Sequence, residues 1–148
     1  MTREDYIQAV QQVLASIVSD ARQRITACFQ LIPAAATGAS FDVFVDQDGE
    51  GFLDVRVSLE GRDLVPLNAE IQEHSEIVGT QMGETDLNPP FPLMDPDDDL
   101  DFDVQSVLAD TASLWLRKLW KELGIDSSIP VSIASPEGYG TILPICLT

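Results

Sequence analysis

Val104-Gln-Ser-Val-Leu-Ala-Asp-Thr-Ala-Ser-Leu-Trp-Leu-Arg-Lys-Leu-Trp-Lys-Glu-Leu123 decides the fold. Its apolar residues fall at 104, 107, 108, 112, 115, 119 and 123, the spacing of a helix with one buried face. Leu114, Leu116 and Trp120 widen that face into an arc broad enough to meet two surfaces, a sheet and another helix. Aspartates at 99, 101 and 103 supply an N-cap and sit well at the positive end of the helix dipole. Arg117, Lys118 and Lys121 suit the negative end, and Gly124 is a natural C′ residue. Trp115 and Trp120 are expected to serve the core, with Trp120, nearer the edge of the stripe, also a candidate for a partner surface.

Working toward the N-terminus, residues 2–32 read as a second long helix. Thr2 with Asp5 forms a variant capping box, and Tyr6, Val10, Val13, Leu14, Ile17, Ala21, Ile25 and Cys28 form its apolar stripe. Pro33 and the small residues after it end the helix. Residues 41–45 and 52–59 alternate with a period of two and read as the strands of a hairpin around the turn 46–51. That turn also resembles a calcium loop. Asp46, Asp48, Glu50 and Asp54 occupy loop positions 1, 3, 5 and 9, with Gly51 at position 6. Val57 stands at position 12, where a glutamate should close the site, and the flanks alternate like strands. A hairpin turn is the first reading and a metal site at those four acids the alternative.

Residues 63–67 read as a third strand, placed at an edge by Pro66, while 68–75 read either as a short helical turn or as more strand. Ile77 and Val78 are expected to bury, and residues 83–92, with three prolines if Pro92 is included, make a loop. At the C-terminal side, residues 129–134 and 141–147 read as a second hairpin around Ser135-Pro-Glu-Gly-Tyr-Gly140.

The 148 residues fit one domain, 1–148, of α+β class: an antiparallel sheet of about four to five strands with two long helices packed on one face. The formal net charge is −17, with only eight Lys and Arg, so the chain is a poor ligand for nucleic acid or an anionic membrane and a good one for a basic protein. No uncharged apolar run approaches a membrane span, and no leader opens the sequence, so a cytoplasmic protein is expected. Cys28 and Cys146 read as buried reduced thiols, or as a disulfide if the last strand lies against the first helix.

The charge is uneven. From Asp63 through Leu116 there are 13 acidic residues and no Lys or Arg, and residues 94–103 alone hold six aspartates. One reading is a solvated loop. The other is an acidic face for a basic protein partner, built from Glu84, Asp86, Asp95, Asp97, Asp98, Asp99 and Asp101 with Trp120 beside them.

Catalytic signatures are missing. The only histidine, His74, lies in an acidic stretch, no cysteine pair has metal-ligand spacing, and neither a nucleophile elbow, an HExxH helix nor a phosphate loop occurs. A non-enzymatic protein with no cofactor is the expectation; an enzyme built on paired carboxylates is the remaining alternative.

The segments Trp115-Leu-Arg-Lys-Leu-Trp120, Ile129-Pro-Val-Ser-Ile133 and Ser135-Pro-Glu-Gly-Tyr-Gly140 resemble the C-terminal part of small acidic bacterial proteins from uncharacterised families found in toxin–immunity loci. The resemblance implies a binder that neutralises a basic toxin by covering its active site. It assigns no ligand or catalytic residue.

Overall fold

The helix read at Val104–Leu123 is the spine of the structure, a computed structural model that describes residues 1–148. Asp103 caps it, its Oδ1 accepting the Gln105 N–H at 3.1 Å, and Gly124 ends it at φ 62°, a left-handed conformation that costs glycine little. Leu108, Ala109, Ala112, Leu116 and Leu119 are buried along one side. Two buried hydroxyls on the same helix are satisfied by its own carbonyls, Thr111 by Val107 O and Ser113 by Ala109 O, both at 2.7 Å.

The N-terminal helix forms with the expected cap, Thr2 Oγ1 accepting the Asp5 N–H at 3.1 Å, but it is broken. Helix α1 spans Arg3–Ser16 and α2 spans Val18–Gln30, with Ile17 between them at φ −106° and ψ 7°. No glycine or proline marks the break. Ser16 Oγ instead donates to Val13 O at 2.6 Å, a back-bond of the kind that bends helices. The apolar stripe continues across the bend through Tyr6, Val10, Leu14, Ala21, Ile25 and Cys28.

Strands β1 (Gly38–Val45) and β2 (Leu53–Glu60) form the expected antiparallel hairpin, with Phe41 opposite Val57 and Val43 opposite Val55. The sheet as a whole is mixed, which corrects the expectation of a purely antiparallel one. Its order is β3-β2-β1-β6-β7, and β6 (Val131–Ala134) runs parallel to β1. The long connection from β1 to β6 carries the chain back through the helix at Val104–Leu123, here α4, and alternation within a strand says nothing of its neighbour's direction.

Three further corrections have local causes. Residues Leu64–Ala69 form a short helix, α3, rather than a strand; Pro66 lies in its first turn, where its missing N–H is harmless, and Asn68 ties it to β2 through Leu59 N–H at 2.8 Å. The third strand, β3, is Glu76–Val78, where Ile77 and Val78 bury as expected. The last strand, β7, shrinks to Ile145–Cys146. Asp110 on α4 takes residues that were expected to extend it, accepting Thr141 N–H at 2.8 Å, Thr141 Oγ1–H at 2.6 Å and Ile142 N–H at 3.3 Å.

One continuous core joins these elements. β1, with buried Phe41 and Val43, and β6, with buried Ile133, meet α4; Val55 and Val57 of β2 bury in the same core, and α2 reaches β3. Their alternate neighbours, Ser40, Asp42 and Ser58, stay outside it and share hydrogen bonds around the Asp42 carboxylate. No helix is long and apolar enough to cross a membrane.

Of the two thiols, only Cys146 departs from the expectation of two buried, reduced cysteines. Cys28 is buried, Cys146 is exposed on β7, and they are not bonded. Burial pushes the Cys28 thiol up from 9.0 to about 12. Burial first, and then the negative charge of Asp46, pushes the Tyr6 hydroxyl above its ordinary 10.0. Above those ordinary values the unfolded chain gives up its protons and the native one does not. Stability therefore falls with rising pH, from about pH 9 for the thiol and about pH 10 for the phenol, by about 1.4 kcal/mol per pH unit for each group. Urea midpoints measured across this range should show the decline, and Cys28→Ala should delay its onset. A thiol reagent should titrate one cysteine per native chain and both after unfolding.

Candidate functional site

The two acidic stretches that are separate in sequence meet at one end of the molecule. The hairpin turn 46–51 touches the start of α4, because Gln105 Nε2 donates to Gln47 O at 2.8 Å and to Asp46 O at 3.2 Å. The aspartate-rich segment is tied to the same turn by Met94 N–H, which donates to Glu50 O at 2.7 Å. Tyr6 stacks on Phe102 with ring centroids 5.6 Å apart, which brings the first turn of α1, with Glu4 and Asp5, to this end as well. The small hairpin of β4 (Gln81–Met82) and β5 (Leu87–Asn88) leaves from beside Leu53, where Thr80 Oγ1 donates to Leu53 O at 2.6 Å.

The segment carrying these acids is pinned. Leu87, Phe91 and Met94 bury in the core, and Leu100 and Phe102 pack against it. Gly51, at φ 110°, lies so close to Pro92 that a β-carbon there would run into the Pro92 carbonyl. Two of the six aspartates hold the backbone: Asp95 accepts the Asp97 N–H at 2.9 Å, and Asp103 caps α4. Asp97, Asp98, Asp99 and Asp101 are exposed and their carboxylates accept no hydrogen bond, and Glu84 and Asp86 are exposed on the β4–β5 turn. None of these takes part in the molecule's ion pairs, which join Arg22 to Glu122, Arg56 to Glu76 and Lys118 to Glu122.

Most of the cations stand elsewhere. Arg22 and Arg24 lie on α2 and Arg117, Lys118 and Lys121 on the last turns of α4, while Arg3 shares the first turn of α1 with Glu4 and Asp5. The amino ends of α1 and α4 point their positive dipole ends toward the acids, worth about 0.3–1 kcal/mol for each well-placed carboxylate.

The four acids that resemble a calcium loop do not converge. Asp46 turns inward, Oδ2 accepting Glu50 N–H at 2.8 Å and Oδ1 accepting Gly51 N–H and Phe52 N–H, both at 3.0 Å. Asp54 accepts the Thr80 N–H at 3.1 Å, and no group of three or more acids, cysteines or histidines is close enough together to hold a metal ion. Beneath this turn the Tyr6 hydroxyl is buried with no hydrogen-bond partner.

Trp120 does not belong to this surface, contrary to the sequence expectation. It is 6% exposed and sits among the rings of Phe29 and Phe41. His74 lies in the turn after α3, where its backbone N–H donates to Ile71 O at 2.9 Å and its ring is hydrogen-bonded to no serine or carboxylate. What the sequence reading missed is the groove between α1 and α4, lined by Arg3, Arg22 and Lys118; its signal was Ile7 and Val18, apolar residues just off the main stripe.

A mixed five-stranded sheet, a helical spine and one end crowded with unpaired carboxylates define an α+β domain of strongly separated charge. The chain belongs to DUF6389, a family of unknown function, whose model matches residues 1–148. No curated protein and no solved structure matches it.

Proposed function

We propose that this protein is a non-enzymatic binding module that presents its acidic end to a basic protein, in the manner of an immunity-type protein covering a basic toxin. In this reading the two long helices layer on the core face of the sheet and the acidic end is left free to dock. The observation that carries it is the pinned segment with exposed carboxylates, none in an ion pair, at Glu84, Asp86, Asp95, Asp97, Asp98, Asp99 and Asp101. A loose loop would spread its charges and relax their repulsion. This one is anchored by buried Leu87, Phe91 and Met94, so the free protein keeps that repulsion and a basic partner relieves it. The carboxylates cover a surface rather than a point, which suits a protein better than a single cation.

The test is capture from the source lysate on the immobilised protein at low and at high salt, with bound proteins identified by mass spectrometry and the candidate partner then purified. Replacing Asp97, Asp98 and Asp99 together by lysine should slow association with that partner about tenfold to a hundredfold at low salt. Reversing Arg117 and Lys121 at the other end should change it far less. Absence of any basic partner at low salt, or equal binding by the triple variant, would sink the proposal.

A further inference from the structure

The N-terminal helices and α4 enclose a groove that the acidic end does not use. α1 and α4 run side by side with their amino ends together, as the Tyr6–Phe102 stack at one end and the Arg22–Glu122 pair at the other require. Beyond the kink α2 turns toward β3, where Arg24 Nη1 donates to Glu76 O at 3.0 Å. On their outer side the N-terminal helices and α4 leave a groove of about 590 Å³ between them. Its floor is apolar, from Ile7, Leu14, Val18, Leu114 and Trp115. Leu114 is 46% exposed there although it lies mid-helix between buried Ser113 and Leu116.

The groove also collects cations. Arg3, Arg22 and Lys118 line it, three of the eight in a chain of net charge −17. The acids beside them are already engaged. The Asp110 carboxylate is taken by Thr141 and Ile142, and Glu122 is shared between Arg22 at 2.6 Å and Lys118 at 4.0 Å. Two cations over one carboxylate leave a positive charge at that end. Lys118 lies fifteen residues beyond the Asp103 cap, about 22 Å along the helix, which is more than two Debye lengths at physiological salt, about 8 Å each. The field of the acidic end is therefore largely screened where Lys118 and its neighbour Arg22 stand.

We propose that this groove binds a single-chain amphiphile with an anionic head, the chain lying over Leu14, Val18 and Trp115 and the head meeting Lys118 and Arg22. The volume falls in the range of small-molecule sites, about 300–1,000 Å³. Spread along the roughly 28 Å of helix from Arg3 to Arg22, it makes a slot the width of one hydrocarbon chain, narrower than a helix of about 10 Å. A second copy of the protein is disfavoured by its like charge. The head position at Lys118 and Arg22 is at the opposite end of the groove from the acidic residues, and the proposal does not depend on their role.

Titration calorimetry with decanoate, kept below its micelle concentration, tests this, with decanol as the uncharged partner of equal chain length. Saturable binding at one per chain is expected, with a shift in tryptophan emission from half-buried Trp115. Decanol should bind about tenfold more weakly, the difference made by one charge-assisted contact. Ala15→Trp places a ring in the groove from an exposed position and should abolish binding without lowering the melting temperature. Lys118→Glu should weaken decanoate but not decanol. Heats that never saturate, binding that survives Ala15→Trp, or equal affinity for acid and alcohol would overturn the proposal.

Discussion

Trp120→Ala should destabilise the protein by about 3–5 kcal/mol, the range for removing a large aromatic from a packed core, and lower its melting temperature by roughly 10 °C. The ring joins three elements. Its centroid lies 5.0 Å from Phe29 of α2 and 5.9 Å from Phe41 of β1, both in edge-on geometry. Phe29 and Phe41 themselves stack at 5.6 Å, so the alanine opens a cavity at the point where helix, helix and sheet meet, and loses two aromatic pairs worth about 0.5–1.5 kcal/mol each. Trp120→Phe retains most of the volume and should cost much less. Urea and thermal unfolding of both variants measure the difference. A tryptophan on a partner surface would behave in the opposite way, leaving the melting temperature unchanged and reducing only partner binding.

The same residue shows how far the sequence could be read. The helix that carries it was legible because independent signals agreed: an aspartate cap, a broad apolar face, cations in the last turns and a glycine beyond. Its angular position near the edge of the stripe was also legible. What stands opposite that edge was not, because Phe29 lies about ninety residues earlier on a helix whose direction changes at Ile17. The bend coincides with one serine back-bond that no pattern in the sequence announces, and the parallel pairing of β1 with β6 depends on a crossover that leaves no mark on either strand. Nothing in the sequence set Asp110 apart from the other acids, yet it reshapes the C-terminal segment through three hydrogen bonds. The acidic residues were identifiable one by one. Their convergence was not, since it rests on Gln105 and Met94 reaching a turn more than forty residues earlier in the chain.

That turn gives the other large effect. Asp46→Ala removes the acceptor of three backbone N–H groups, those of Glu50, Gly51 and Phe52. The turn is partly buried, so water replaces only some of what is lost, and a cost of about 2–3 kcal/mol is expected. Asp46→Asn can keep its carbonyl oxygen on Gly51 and Phe52 while giving up Glu50, and should cost nearer 1 kcal/mol. Calcium addresses the other reading of the same residue. If the carboxylate serves the backbone, calcium and a chelator leave the wild-type melting temperature the same, and the alanine variant is equally destabilised in both. If it serves a cation, calcium raises the melting temperature of the wild type alone. Amide exchange separates the turn from the rest of the fold. Met94 N–H donates to Glu50 O, so loosening the turn should speed exchange at Met94 and Gly51 while the α4 amides of Leu108 and Leu116 keep their protection. The acidic segment would then lose its anchor without losing a charge. Weaker binding of a basic partner by Asp46→Ala, with Asp97, Asp98 and Asp99 intact, would show that the fixed arrangement of those carboxylates matters as well as their number.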